Sequence, residues 1–244
     1  MKIIYEDEYL LVLDKPAGLP VLPDGWEKDA PYLVKMLEDE YGNPSTGSGQ
    51  GIWIVHRLDK ITSGVMVFAR DAETHRSLNI QFEERQAEKV YHAIVEGIPQ
   101  WNEKTAKHPL RINVGHKHRT GVSDKYGKPS ETRFKVIKRY QARPDDRREG
   151  RREAALIEAR PVTGRTHQIR VHAYALGHPL LGDILYGASE THLIARPALH
   201  AHSLTFTHPH SGERQTFLAE RPQDFVETLE LLSSFTSQGY TFEG

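Results

Sequence analysis

The chain of 244 residues has no cysteine. That excludes disulfides, zinc–thiolate sites and cysteine nucleophiles, and it fits a reducing compartment. Long hydrophobic runs are also missing. No stretch approaches the roughly 18 apolar residues of a membrane helix. The N-terminal MKIIYEDEYLLVLDKP is interrupted by acids where a secretory signal needs a continuous apolar segment. We therefore expect a cytoplasmic protein that makes no membrane contact. No Gly-x-Gly-x-x-Gly, no Gly-x4-Gly-Lys-Ser/Thr and no Gly-x-Ser-x-Gly occurs, so dinucleotide, phosphoryl-transfer and serine-hydrolase readings lose their usual support.

Net charge is nearly absent as well, at −1, but it is unevenly spread. Residues 101–152 hold sixteen Lys and Arg against six Asp and Glu, a net +10, while 1–50, 51–100 and 153–244 carry −6, −1 and −4. Such a concentration on a neutral chain points to a polyanionic partner, most simply nucleic acid. The bland reading is a solvated loop, because PDDRREGRR (144–152) mixes both signs. The surrounding stretch 141–153, QARPDDRREGRRE, reads as an insertion.

What is present is an ordinary globular composition, 38% hydrophobic and 27% charged, on a chain long enough for one large domain. Lys2–Tyr5 and Leu10–Leu13 read as a hairpin. Asp29-Ala30-Pro31 reads as the cap and early proline of a helix through Leu33, Met36 and Leu37 that stops at Gly42. Residues 43–51 read as a flexible loop. Ile52–Val55 and Val65–Ala69 read as strands, and Asp71 as the cap of a helix through Leu78 and Phe82. KVYHAIVEG (89–97), ETRFKVIKRY (131–140) and AALIEAR (154–160) read as further strands. Thr166 caps a helix running to Gly177 on this reading. HAHSLTFTHP and RQTFLAE follow as strands, and PQDFVETLELLSSF as a last helix opened by Pro222. Strands outnumber helices without strict alternation, so the fold class is α+β, with a mixed, mostly antiparallel sheet. A single domain over 1–235 and a tail at 236–244 are expected.

Fourteen histidines invite a metal. The pairs His116/His118, His200/His202 and His208/His210 would each share a face if they lay on strands. A third ligand and a helical His-Glu-x-x-His signature are missing, so no metal is expected, and a His-based metallohydrolase stays a weak alternative.

The segment IWIVHRLDKITSGVMVFAR (52–70) sets Asp59 beside Arg57 and His56 where a buried strand ends. A surface ion pair is the bland explanation. In ARPVTGRTHQIRVHAYALGHPLLGD (159–183) a strand and a turn lead into a helix with Arg170 near its start. Helix N-termini disfavour cations, so Arg170 calls for a partner, and a buried carboxylate would serve.

At these two stretches the residues resemble a known family. His56-Arg57-Leu58-Asp59 with Thr62-Ser63-Gly64, and Gly164-Arg165-Thr166-His167-Gln168-Ile169-Arg170-x-His172 with Gly177-His178-Pro179-Leu180-Leu181-Gly182-Asp183, resemble the RluA-type pseudouridine synthases. Lys15-Pro16-Ala17-Gly18, Lys89-x-Tyr91-x-Ala93 with Gly97, and Leu199-His200-Ala201 match in the same order. The resemblance implies the pseudouridine synthase catalytic fold, with an active-site cleft between two halves and no S4-like domain. It implies Asp59 as the carboxylate that isomerises uridine, and Tyr91 as the tyrosine that contacts the base and helps the last proton removal. Arg170 would be the basic residue paired with Asp59. His56, Arg57, Leu58, Thr62, Lys89, Ile169, Arg165 and His167 would be substrate-binding, with Arg57 able to enter the RNA helix where the target base was and Ile169 lining the pocket. It further implies no cofactor and a monomer acting on structured RNA, a stem-loop of tRNA and/or 23S rRNA. The competing reading is a non-catalytic RNA-binding or chaperone module on the same fold.

Overall fold

The structure is a computed structural model that describes residues 1–23, 30–43, 50–115, 119–141 and 153–236. These fall into two compact units, residues 1–90 with 200–220, and 91–199 with 221 onward. The strand assignments, with the helices between them, make an α+β chain of mostly antiparallel pairing.

In the first unit β1 (Lys2–Glu6) and β2 (Leu10–Lys15) form the expected hairpin. The turn between them is tied by Asp7, whose carboxylate accepts the Tyr9 and Leu10 N–H groups. Next to β2 runs β4 (Ser63–Asp71), antiparallel, and residues 63–69 are buried without a break. A strand that reads Ser-Gly-Val-Met-Val-Phe-Ala is apolar enough to be covered on both faces. Its second edge is shared. β3 (Gln50–Ile54) pairs with the Phe68–Asp71 end, and β11 (Leu199–Thr207) runs parallel at Ser63 and Gly64, with β12 (Arg214–Leu218) beyond it. Helix α1 (Leu33–Tyr41) closes on Gly42 as expected, but its N-cap is Tyr32, so Pro31 precedes the helix rather than sitting in its first turn. Asp29, the expected cap, lies outside the described residues. Helix α2 (Ala72–Glu83) is capped as read: Asp71 accepts from the Glu73 and Thr74 N–H groups.

Gly64 shows why a Thr-Ser-Gly begins β4. Its φ of +119° is left-handed territory, and a Cβ there would overlap the Ala201 carbonyl of β11. Gly64→Ala should destabilise the protein by about 3–5 kcal/mol, from overpacking against backbone plus φ strain. Urea unfolding, or soluble yield if the variant does not accumulate, measures it.

The second unit is built on β5 (Glu88–Glu96, from Tyr91 onward), β10 (Ala154–Pro161), β9 (Thr132–Tyr140) and β6 (Glu103–Ala106), in that spatial order and antiparallel throughout. Alternation along β5 sorts the core. Ala93 and Val95 join Phe134, Ile157 and Ala159 under helix α3 (Gln168–Ala175), which contributes Ile169 and Ala173. Ile94 faces the other way, with Leu156, Leu181 and Phe225, Leu229 and Leu232 of helix α4 (Gln223–Thr236). Arg196 pins α4 by a two-pronged bond to Asp224 at 2.7 and 2.9 Å.

Three departures from the sequence reading fall here. The helix of the GRTHQIR segment is not capped by Thr166. His167 is the cap, in a left-handed conformation at φ 54°, and α3 starts at Gln168. The basic segment contains β6 and a hairpin of β7 (Leu110–Val114) and β8 (Arg119–Val122) that the sequence reading left without structure. Parts of its charge are also internally answered: Lys107 and Arg133 both pair with Glu131, and Arg139 donates to the Pro99 and Trp101 carbonyls and to Asn102. The His116/His118 pair, most of the 141–153 insertion and the tail after Thr236 lie outside the described residues. No helix among the described residues is long and apolar enough to cross a membrane.

Candidate active site

The Asp59 turn leaves the sheet where β3 and β11 part on the edge of β4. β3 occupies that edge down to Phe68 and β11 takes it up at Gly64, so the ladder groups of the residues between need another partner. His56 supplies one. The Val67 N–H donates to its Nε2 at 3.2 Å, and its ring stacks on Phe82 at 4.9 Å between centroids. The imidazole thus accepts at Nε2 and carries its proton at Nδ1. Burial, then the positive charge of Lys89, pushes its pKa down to about 3. The sign for stability follows. Native His56 stays neutral while the unfolded residue titrates near 6.5, so stability is whole above about pH 6.5 and declines as pH falls toward about 3. His56→Gln keeps an acceptor for Val67 without a titrating ring. It should reduce the stability lost between about pH 6.5 and pH 4 by about 1–2 kcal/mol, read from urea midpoints at the two pH values. His172, also depressed by burial, leaves a residual slope of the same sign.

The turn itself is held from behind. Lys15 is fully buried, and its ammonium donates to the carbonyls of Pro16, Leu19 and Lys60, at 2.8 to 3.2 Å. The Gly18 N–H donates to the same Lys60 carbonyl, and the Thr62 N–H closes the turn on the Asp59 carbonyl at 3.0 Å. Leu58 and Thr62 are buried in this arrangement, Asp59 is half-buried, and Arg57 is exposed. The structural role of Lys15 was not read from sequence, although the Lys-Pro-Ala-Gly string is a visible sign of a tight loop with a charge beside it.

In the second unit Tyr91 pairs with Ala159 in the β5–β10 register and packs, half-buried, on the cluster that holds Ile169, which is buried. Arg170 is 3% exposed. Its Nε and a terminal nitrogen donate to the two oxygens of Asp183 at 2.7 and 2.8 Å, and its guanidinium lies 4.9 Å over the Tyr186 ring. The buried carboxylate that Arg170 called for is thus present at Asp183, thirteen residues on, in the Gly-Asp that ends the second motif. Gly182 positions it, since a Cβ at that residue would overlap the Arg196 carbonyl. Arg165 is exposed. His167 is half-buried, and its Nδ1 lies 2.9 Å from the Tyr186 hydroxyl, which also accepts the Thr120 N–H. Gln168 staples the turn: it accepts from the Thr163 hydroxyl and the Arg165 N–H, and donates to the Glu131 carbonyl and to Thr132. His172 is buried between Ser130 and Thr132.

The remaining motif histidines also have partners. His200 bridges the Ser63 hydroxyl and the Ala219 carbonyl, to which His202 also bonds. His208 bonds Asp7 and accepts the His210 and Ser211 N–H groups.

Comparison with known proteins identifies the family. The profile described as RNA pseudouridylate synthase matches residues 9–175. Ribosomal large subunit pseudouridine synthase D of Zymomonas mobilis is 37% identical over 95% of this chain and 73% of its own. The dual-specificity RNA pseudouridine synthase RluA of Escherichia coli is 38% identical over 91% of this chain and 93% of its own. In fold, the chain resembles human RNA pseudouridylate synthase domain containing 4, with a TM-score of 0.73, 24% identity and coverage of 95% and 93%. With a catalytic-family profile over most of its length and near-full-length relatives, this chain belongs to the RNA pseudouridylate synthases and is an RluA-type enzyme.

Proposed function

We propose that the enzyme isomerises specific uridines in a stem-loop of tRNA and/or 23S rRNA, with Asp59 as the reacting carboxylate. The observation that carries this is the Asp59 turn. It is fixed from behind by a buried lysine and by backbone bonds, on a sheet edge that two strands leave open. Positioning of that stiffness suits a group that must meet one sugar carbon. Pseudouridine formation breaks the N-glycosidic bond, turns the uracil and forms a C–C bond to the same sugar. One carboxylate acting at the sugar suffices, and no second carboxylate to activate water is needed, unlike glycoside hydrolysis. Arg170 would pair with Asp59 and keep it ionised, Tyr91 would contact the base, and Ile169 would line the pocket beside it. His56, Arg57, Leu58, Thr62, Lys89, Arg165 and His167 complete the substrate-binding set.

A target uridine has to leave its stack, which is cheapest in a loop. The β7–β8 hairpin offers a docking surface. Tyr126, in the turn after β8, is 61% exposed, with the cations of Arg111 and Lys125 each 5.1 Å from its ring, and exposed Ile112 lies beside Arg111 on β7. Stacking rings with adjacent cations hold unpaired nucleotides. We further propose one catalytic domain over 1–235, monomeric and cytoplasmic, working without metal or cofactor.

The test is site-resolved pseudouridine mapping of tRNA and rRNA from a strain lacking the gene, after incubation with the purified protein. A newly filled uridine names the substrate. No filled site in either RNA would overturn the substrate class and leave the RNA-binding module as the better reading.

A further inference from the structure

Lys89 stands in the proposed substrate-binding set, but nothing so far says which part of the RNA it meets. It lies on the stretch of β5 that belongs to the first unit, half-buried, with its ammonium 5.8 Å from the Phe82 ring centre. The same ring carries His56, three residues before Asp59. Among the described residues Lys89 makes no hydrogen bond and no ion pair. Its acidic neighbour Glu88 bonds Arg214 at 2.5 Å. His56 is neutral and has its acceptor nitrogen on Val67, so it offers neither charge nor a lone pair.

An ammonium taken partly out of water without a counter-ion is costly to the folded protein. Burial lowers its pKa, the expected sign for that cost. Surface lysines usually escape by extending into solvent. This one is held over an aromatic ring next to the turn that carries the reacting carboxylate. What would repay the cost is a full negative charge arriving with the substrate, and on RNA that charge is a phosphate. A uracil carbonyl would accept a hydrogen bond without neutralising the ammonium. The compact lysine head is suited to a phosphate as a point charge.

We propose that Lys89 binds a backbone phosphate of the RNA seated at the Asp59 turn, with Phe82 and neutral His56 fixing the ammonium in place. The proposal rests on the RNA-modifying reading of the site. It gives Lys89 a phosphate as its contact within that substrate-binding set, with its charge used for affinity and register, and it assigns His56 a supporting part through the shared ring.

Two measurements test it, both on the full chain. The first compares wild type with Lys89→Met, which keeps the apolar stem on Phe82, and Lys89→Arg. Binding to tRNA or rRNA, whichever the wild type modifies, is followed against KCl concentration. Loss of one phosphate contact should lower the slope of log K against log[salt] by about 0.7–0.9 in the Met variant and leave it in the Arg variant. An unchanged slope in a Met variant that melts like wild type overturns the proposal. The second needs no variant. Reductive methylation of wild-type Lys89, quantified by mass spectrometry, should slow about tenfold when RNA is present at ten times its Kd. Equal rates with and without RNA overturn it. If the wild type modifies neither RNA, the substrate reading falls first. An active wild type with an unprotected Lys89 removes only the phosphate assignment.

Discussion

Replacing Asp59 by Asn or Ala should abolish pseudouridine formation, by at least about 10³-fold, with folded protein and RNA binding retained. Asn keeps the shape of the side chain but can act neither as nucleophile nor as base at the sugar. The fold should survive because main chain and a different side chain supply bonds that hold the turn. Lys15 donates to the Lys60 carbonyl, Gly18 N–H to the same oxygen, and Thr62 N–H to the Asp59 carbonyl. Both substitutions leave all of these bonds available. Single-turnover assays on the mapped RNA, with thermal melting alongside, give the two readouts. Loss of soluble protein in both variants would mean that Asp59 is chiefly a structural ion-pair member, and residual turnover near wild type would remove it from the chemistry.

Asp183→Ala should cost about 3–5 kcal/mol of stability, since it removes both carboxylate oxygens that Arg170 bonds in a site where both partners are almost wholly buried. Its two short bonds and the Tyr186 ring leave Arg170 little room to reach water. Stability alone does not tell a structural pair from a functional one, and the double variant Arg170→Met/Asp183→Leu does. Two apolar side chains of similar volume often replace a buried pair without loss. Urea unfolding of the double variant should therefore return to within about 1 kcal/mol of wild type. Turnover should stay lost if Arg170 also supports Asp59, as proposed. Recovery of turnover with stability would make Arg170 a purely structural member of the second unit.

How far the sequence carried can be judged from particular residues. β4, β5 and β10 were legible because their burial follows period two or an unbroken apolar run, which are local properties. Asp71 announced its helix because a cap needs only the next three residues. The β6–β8 strands were not legible: Glu103–Ala106 and Arg119–Val122 are only four residues each, and β6 and β7 are mostly exposed, so neither shows a buried face with a period of two. Thr166 was a reasonable cap by type, yet His167 took the position. Gln168, bonded to Thr163, Arg165, Glu131 and Thr132, fixes where the helix starts, and two of those four partners lie more than thirty residues away.

The two motifs, their order and the clustering of positive charge are properties of the string, and they were enough to reach the family and the reaction. Tertiary structure decided the state of the charged groups. Lys15 is a staple because a carbonyl 45 residues away is brought to it. His56 is neutral because it is buried and faces the charge of Lys89 on β5, and Arg170 is paired because Asp183 is turned inward by Gly182. A residue's type is written locally, but its protonation and partner depend on desolvation and on charges supplied by distant segments, which no local pattern records.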